Sequence, residues 1–141
     1  RKAAAGARVI ALDPDRKRLD RMVALGLADD TIEVDARLPE STLGKVAQAT
    51  SGALCNVVLN CVNVADTEAT SILCARRYGT VVFYSMATRF DRAALGTDAT
   101  DNDVRLVIGN GIAENQAELT LALFRENPGL LSYFGECMTA E

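Results

Sequence analysis

Asp13 is the residue whose position most clearly indicates chemistry, because it directly follows the apolar run "ARVIAL". A carboxylate at the carboxyl end of a strand in an open α/β sheet can accept both hydroxyl groups of a nucleotide's ribose. Its charge favours NAD, since the 2'-phosphate of NADP would be repelled. Two local roles are equally open: a cap for the following helix, or the acceptor of an Asx-turn before Pro14. Arg16 either flanks an adenine or a 2'-phosphate, or is a solvated helix charge.

Two further groups of candidate residues follow apolar runs later in the chain. They are Asn60, Cys61, Val62 and Asn63 after "NVVL", and Ser85 and Met86 after "VVFY". Ligands in such sheets bind beyond the carboxyl ends of the strands. We therefore expect the first group beneath the ribose and pyrophosphate of a dinucleotide, and the second group near its nicotinamide. The alternatives are turn chemistry for the two asparagines and core packing for Met86.

The stretch "IGNG" ends another apolar run and places Gly109 and Gly111 around Asn110. Glycine permits a positive φ and a close approach of the backbone to a ligand. Gly109 and Asn110 are therefore candidates for a loop against the cofactor, and a simple turn is the alternative.

Composition excludes several kinds of site. The chain has no histidine, and none of its four cysteines forms a C-x-x-C pair, so we expect no metal site and no Ser-His-Asp or Cys-His catalysis. Fifteen basic and nineteen acidic residues give a net charge of -4 without a basic cluster, which predicts no nucleic-acid partner. No apolar run approaches the roughly 18 residues of a membrane span, and we expect a cytoplasmic protein. Catalytic residues are left unassigned.

Short apolar runs alternate with helical patterns, an order typical of a parallel sheet wound with helices. The apolar runs are "ARVIAL", "TIEVDA", "CNVVLNCV", "TVVFYSM" and "VRLVIGNG". Because "CNVVLNCV" is apolar on both faces, it predicts the most buried, central strand.

Four stretches have helical spacing. The first carries Leu19, Met22, Val23 and Leu27 and closes near Gly26; the second begins at Ser41, its expected N-cap, and stops at "TSG". The third, "NVADTEATSILCARRYG", is expected to end at Gly79, and the fourth, "AENQAELTLALFREN", stops before Pro128. Residues 129–141 are expected to be a weakly patterned tail.

These elements predict an α/β fold: a Rossmann-like doubly wound parallel sheet that is incomplete. No G-x-G-x-x-G precedes Asp13, so the first strand and the glycine-rich loop that would hold the pyrophosphate are absent from this sequence. Residues 1–141 would be one partial dinucleotide-binding domain with weak affinity of its own. Without the central strand, "RVIALD" and "NVVLNCV" must pair directly, recruit another strand or separate. Unpaired strand edges favour association, so we expect a homo-oligomer.

The segments "NVVLNCVNV", "YGTVVFYSMAT" and "IGNG" resemble the cofactor domain of medium-chain dehydrogenase/reductases. Together with "LGLADDTIEVDA" and "ENQAELTLALFRENP", they more narrowly resemble members that deaminate a small diamino acid. The resemblance implies NAD as cofactor and the oxidation of 3,5-diaminohexanoate at C3 to 5-amino-3-oxohexanoate, ammonia and NADH. It also implies that Asp13 binds the ribose and that the strand-end residues named above face the cofactor.

Three alternatives stay open. A class I methyltransferase also holds a ribose with an acid after its second strand, but it would close with an antiparallel hairpin, and here the last strand is followed by a helical pattern. A nucleotide-sensing regulatory domain of a potassium transport system would suit "ALDPDRKRLDRMVALG", and the second half of the chain fits a dehydrogenase better. The third alternative is another zinc-independent medium-chain dehydrogenase.

Overall fold

The computed structural model describes residues 6–89, 91–93, 103–109 and 114–139. The strands are β1 (Ile10–Asp13), β2 (Asp30–Glu33), β3 (Cys55–Asn60), β4 (Ala75–Phe83) and β5 (Arg105–Ile108). The helices are α1 (Arg16–Ala24), α2 (Pro39–Ala49), α3 (Glu68–Leu73), α4 (Gln116–Glu126) and α5 (Pro128–Thr139). Strands and helices alternate from β1 to β4, which confirms the predicted α/β class.

The strands form two parallel sheets in the described part of the chain. β1 pairs with β2, and the second sheet has the order β3-β4-β5. Helix α1 connects β1 to β2, and α3 connects β3 to β4, because a parallel pair needs a crossover that returns to the same end of the sheet. β1 and β3 do not pair, so the structure shows the third of the three expected arrangements: the two strands separate.

Each sheet has its own cluster of buried apolar side chains. The larger cluster is Ile72, Ala75, Val81, Phe83 and Ala93, and the smaller one is Ala11, Leu19 and Ala28. Burial is greatest around β4, which is paired on both sides. The expectation that β3 is the most buried strand is wrong: Val57 is 55% and Leu59 67% exposed, and these two side chains lie on the same face of the strand, which is left largely uncovered.

Polar contacts attach helices α3 and α5 to the part of the chain that contains the first sheet. Thr70 Oγ1 on α3 donates to Ala36 O beyond β2 at 2.6 Å. On the other side, Arg21 of α1 donates to both carboxylate oxygens of Glu136 on α5 at 2.9 and 3.0 Å, and its guanidinium lies 5.7 Å from the centre of the Tyr133 ring. These contacts attach α3 to the first sheet and α5 to α1.

Three helix boundaries differ from the sequence predictions. Helix α2 begins at Pro39, which is favoured in the first turn because it needs no amide partner, so Ser41 lies inside the helix and is not its N-cap. Residues 128–139 form α5 and not a weakly patterned tail; the side chain of Asn127 accepts from Leu130 N at 3.1 Å and begins the helix. Helix α3 ends at Leu73, well before Gly79.

Gly79 lies inside β4, where the backbone of β3 comes very close. Cys55 pairs with Ala75 but Val57 pairs with Thr80, so the register shifts between Cys55 and Val57. A Cβ atom on Gly79 would meet Arg76 O at 2.8 Å and the carbonyl oxygens of Asn56 and Cys55 at 3.1 Å. The glycine therefore serves a close backbone approach and not a helix end.

Replacing Gly79 with alanine is expected to lower the free energy of unfolding by about 1–3 kcal/mol, because the new methyl group meets backbone atoms that cannot move away. The matched control is Gly44→Ala in α2, where a Cβ meets nothing within 4 Å. That change is expected to be neutral or stabilising by up to about 1 kcal/mol. Urea unfolding of both variants checks this, and equal stabilities of the Gly79 variant and the wild type would contradict it.

Candidate functional site

The candidate site is the edge at which β3, β4 and β5 end. Asn60 pairs with Phe83, and Phe83 with Ile108, so the three strands finish side by side. Gly109 N donates to Phe83 O at 3.2 Å and continues the ladder one residue further. The structure therefore brings together three of the predicted segments, which contain Cys61 and Val62, Ser85 and Met86, and Gly109. Asn110 lies outside the described residues.

Asp13 is the last residue of β1 in the other sheet, and Arg16 is the first residue of helix α1, which follows it. Asp13 Oδ1 accepts from Asp15 N at 2.8 Å, which is an Asx-turn, whereas Asp15 is the N-cap of α1 and accepts from Lys17 N at 2.8 Å. The Asx-turn considered for Asp13 is thus present, and the capping role belongs to Asp15. The other oxygen, Oδ2, is 3.9 Å from Arg18 Nη1, and the side chain is 22% exposed.

Arg16 is an exposed helix charge in this structure. Its Nε donates to Asp20 Oδ1 at 2.9 Å, one turn further along α1. This exposed i,i+4 ion pair is the solvated helix charge that was considered as the alternative to a cofactor contact. A contact of Arg16 with a dinucleotide stays a prediction.

Asn60 is buried, and both the nitrogen and the oxygen of its side-chain amide make hydrogen bonds. Its Nδ2 donates to Thr67 Oγ1 at 2.8 Å and to Ser71 Oγ at 2.9 Å, and its Oδ1 accepts from Val62 N at 3.3 Å. The amide thus fixes the segment after β3 against α3. Its side chain supports the turn, which was the alternative considered for it, so any contribution to a cofactor contact would pass through the neighbouring Cys61 and Val62.

The segment after β4 is a tight turn with an exposed methionine. Ser85 Oγ accepts from Ala87 N at 3.1 Å, and Ser85 O accepts from Thr88 N at 3.3 Å. Met86 is 85% exposed, so core packing, the alternative considered for this residue, is wrong. The turn directs this side chain away from both apolar clusters and leaves its thioether and methylene groups open at the candidate site.

Glu68 is a buried carboxylate at this edge that sequence reasoning missed. It is 1% exposed, and its Oε1 accepts from Arg89 N at 2.7 Å. A glutamate in the first turn of a helix is usually a surface residue that interacts with the helix dipole, so its sequence position carries no signal of burial. Glu68 lies within the same buried polar group as Asn60, Thr67, Thr70 and Ser71.

Asp35 and two cysteines, Cys55 and Cys74, have clearly shifted pKa values. Hydrogen bonds from Arg37, including Nη2 to Oδ2 at 2.6 Å, lower the pKa of Asp35 to about 2, so this carboxylate stays ionised at neutral pH. Burial raises the pKa of Cys74 to about 12 and also raises the pKa of Cys55. Neither cysteine is therefore a nucleophile at neutral pH, because the thiolate is the reactive form.

The parallel strands and their crossover helices define a Rossmann-like α/β domain. The chain belongs to the zinc-binding dehydrogenase family, whose model matches residues 2–120. It is 42% identical over 120 residues to L-erythro-3,5-diaminohexanoate dehydrogenase of Acetoanaerobium sticklandii, covering 85% of this chain and 35% of that protein. It is 38% identical over 102 residues to the enzyme of the same name from Fusobacterium nucleatum subsp. nucleatum, covering 72% of this chain and 30% of that protein. The chain spans about a third of the length of these curated relatives.

These comparisons confirm the resemblance drawn from the strand-end segments, and they give no support to a methyltransferase or a potassium-transport regulator. The family's description implies zinc. In the described ranges, no three His, Cys, Asp or Glu side chains gather where they could hold a metal ion, and the sequence has no histidine. The described residues do not fit a zinc site, and we assign no chemical step to zinc here. No helix in the described part is both long and apolar enough to cross a membrane.

The cysteines provide a test of the site's exposure. Cys61 is exposed at the carboxyl end of β3, whereas Cys74 is buried with a pKa of about 12. In the folded protein at pH 8, we expect iodoacetamide to alkylate Cys61 at least about 100-fold faster than Cys74. Peptide mass spectrometry measures both rates, and labelling in urea is the control in which the two rates should converge. Equal rates in the folded protein would contradict the structure at this edge.

Proposed function

We propose that residues 1–141 are a partial dinucleotide-binding domain of an NAD-dependent dehydrogenase that deaminates L-erythro-3,5-diaminohexanoate oxidatively. The observation that supports this most strongly is the 42% identity to the Acetoanaerobium sticklandii enzyme over 120 residues. That stretch is 85% of this chain, so most of the elements that form the candidate site lie within it. The substrate would be a small diamino acid bound beside the carboxyl edge of the β3-β4-β5 sheet.

Asp13 supports the choice of NAD. Its Oδ1 accepts from Asp15 N in the Asx-turn, the side chain is 22% exposed, and Oδ2 would accept from a ribose hydroxyl. A 2'-phosphate at the same place would meet the negative charge of this carboxylate. No glycine-rich loop for the pyrophosphate is present in this sequence, so Asp13 alone gives weak binding.

In the proposed reaction, bound NAD would accept a hydride from C3 of the substrate. Loss of a proton from the amine at C3 would leave a carbon–nitrogen double bond on the substrate, and water would hydrolyse this imine to the ketone and ammonia. The residues of this chain would orient the dinucleotide: Asp13 at the ribose, Cys61 and Val62 beneath it, and Ser85, Met86 and Gly109 towards the nicotinamide. The groups that move the amine and water protons are not assigned.

The proposal includes a homo-oligomeric, cytoplasmic enzyme without a nucleic-acid partner. Exposed Val57 and Leu59 on one face of β3 support association, since exposed apolar patches are covered in stable assemblies. The net charge of -4 supports the lack of a nucleic-acid partner.

Activity is tested on the complete gene product with 3,5-diaminohexanoate and NAD, by following NADH absorbance and ammonia release together. We expect equal molar amounts of NADH and ammonia. Formation of neither product would refute the proposed reaction. NADH without ammonia would show an oxidation that is not a deamination and would refute the proposal as well.

Replacing Asp13 with asparagine separates the two roles of this residue. The amide oxygen still accepts from Asp15 N, so the Asx-turn is kept, but the charge that favours the ribose hydroxyls is lost. We expect the KM for NAD to rise about tenfold, because a hydrogen bond to a charged acceptor is worth roughly 1.5–3 kcal/mol. The preference for NAD over NADP should fall at the same time.

The matched control is Asp103→Asn, which removes one negative charge before the amino end of β5, at the opposite edge of the sheet. Its ion pair with Arg77 is exposed, with an N···O distance of 3.0 Å. We expect its KM for NAD to stay within about twofold of the wild-type value, since exposed pairs contribute little. An unchanged KM in the Asp13 variant would show that this carboxylate acts only in the Asx-turn.

A further inference from the structure

The burial of Glu68 does not increase the stability of the fold in an obvious way. It is 1% exposed, and Oε2 is a buried oxygen without a hydrogen-bond partner in the described structure. Burying a carboxylate oxygen without a partner is unfavourable, and an apolar side chain of similar size would avoid it. The carboxylate accepts through Oε1 from Arg89 N at 2.7 Å, and its charge also attracts the Arg89 guanidinium.

That contact completes a two-point attachment of the segment 84–89, which follows β4. At the start of the segment, Tyr84 N donates to Asn60 O at 2.8 Å. At its end, Arg89 N donates to Glu68. The acceptors Asn60 and Glu68 lie at the two ends of the segment that follows β3. The two segments are thereby joined at both ends into one unit.

This unit carries the predicted cofactor residues of both strands, Cys61 and Val62 on one segment and Ser85 and Met86 on the other. Between its attachments, the segment 84–89 is supported by bonds within its own turn, from Ala87 N to Ser85 Oγ and from Thr88 N to Ser85 O. Those bonds set the shape of the turn but not its position on the sheet. The position depends on contacts at the two ends of the segment, and the contact at Arg89 N uses the side chain of Glu68. Just beyond it, Arg92 forms an ion pair with Asp66, and Ala93 packs in the larger apolar cluster.

We propose that Glu68 is a positioning residue, which holds the segment 84–89 beside the nicotinamide end of the bound dinucleotide through the amide of Arg89. The inference rests on the proposed function, because it assigns a nicotinamide to this edge. It adds a specific role for a residue that makes no contact with the cofactor. Loss of the contact should weaken binding of the nicotinamide half and leave the adenosine half, which Asp13 holds, unchanged.

Two variants of Glu68 separate the effect of side-chain length from the effect of charge. Glu68→Asp keeps the charge but withdraws the carboxylate by one methylene from Arg89 N, whereas Glu68→Gln keeps the reach and an acceptor oxygen but loses the charge. Isothermal titration calorimetry on the complete gene product measures the Kd for NADH and for ADP-ribose, which lacks the nicotinamide. For the aspartate variant we expect the Kd for NADH to rise about fivefold and that for ADP-ribose less than twofold. For the glutamine variant we expect both values within about twofold of wild type.

The matched control is Thr70→Val on the same helix. It removes a buried hydrogen bond of 2.6 Å to Ala36 O without touching the segment 84–89. A structural defect in α3 should therefore appear in this variant as a lower melting temperature with an unchanged ratio of the two Kd values. An equal rise of both Kd values in Glu68→Asp, or no rise in either, would overturn the inference while leaving the proposed function intact.

Hydrogen–deuterium exchange of the ligand-free protein gives a readout that needs no cofactor. Exchange in a peptide covering residues 84–89 should be faster in Glu68→Asp and unchanged in Glu68→Gln and Thr70→Val. If Glu68→Asp does not fold, Arg89→Pro removes the donating N–H from the other side, and Arg89→Ala is its control. If the wild-type gene product binds neither NADH nor ADP-ribose, the proposed function fails and the role of Glu68 fails with it.

Discussion

Strands that run in one direction place all their carboxyl ends at one edge, and this constraint determines where chemistry can occur in the chain. β4 is the strand on which the arrangement depends, since it pairs with β3 on one side and β5 on the other. Its Val81 and Phe83 are buried within the larger apolar cluster, and the absence of a side chain at Gly79 lets the backbone of β3 approach. The segments that follow the three strands are adjacent because the strands are parallel and their last residues, Asn60, Phe83 and Ile108, are paired side by side.

A layer of buried polar groups lies beneath those segments and connects them to α3. Asn60 donates to Thr67 and Ser71, while Glu68 accepts from Arg89 N. Buried polar groups must be hydrogen-bonded to offset the cost of burial, so the bonds of Asn60 and of Glu68 Oε1 hold the segments above them in one geometry. In the proposed enzyme, this fixed geometry would position a nicotinamide, while Asp13 on the other sheet would hold the ribose.

Much of the fold follows from local sequence patterns. Apolar runs and helical spacing predict β1, β2, β5 and α1 close to their observed positions, because these patterns are set by which face of each element is buried. Gly79 and Glu68 could not be predicted in the same way. Their roles depend on backbone atoms of β3 and of the segment after β4, which are distant in sequence. The exposure of Leu59 likewise depends on which face of β3 other elements cover and not on the apolar composition of the strand. At the candidate site, the segments could be predicted because they directly follow apolar runs. The hydrogen bonds of Asn60 to Thr67 and Ser71 could not, because they form only when α3 packs against β3.

The central claim is that one dinucleotide is held across the carboxyl ends of both sheets. A crystal structure of the complete gene product with NADH tests this most directly. We expect the adenosine ribose hydroxyls to be hydrogen-bonded to Asp13 and the nicotinamide to lie against the segment that contains Ser85 and Met86. A dinucleotide bound elsewhere, or one whose ribose does not contact Asp13, would contradict it.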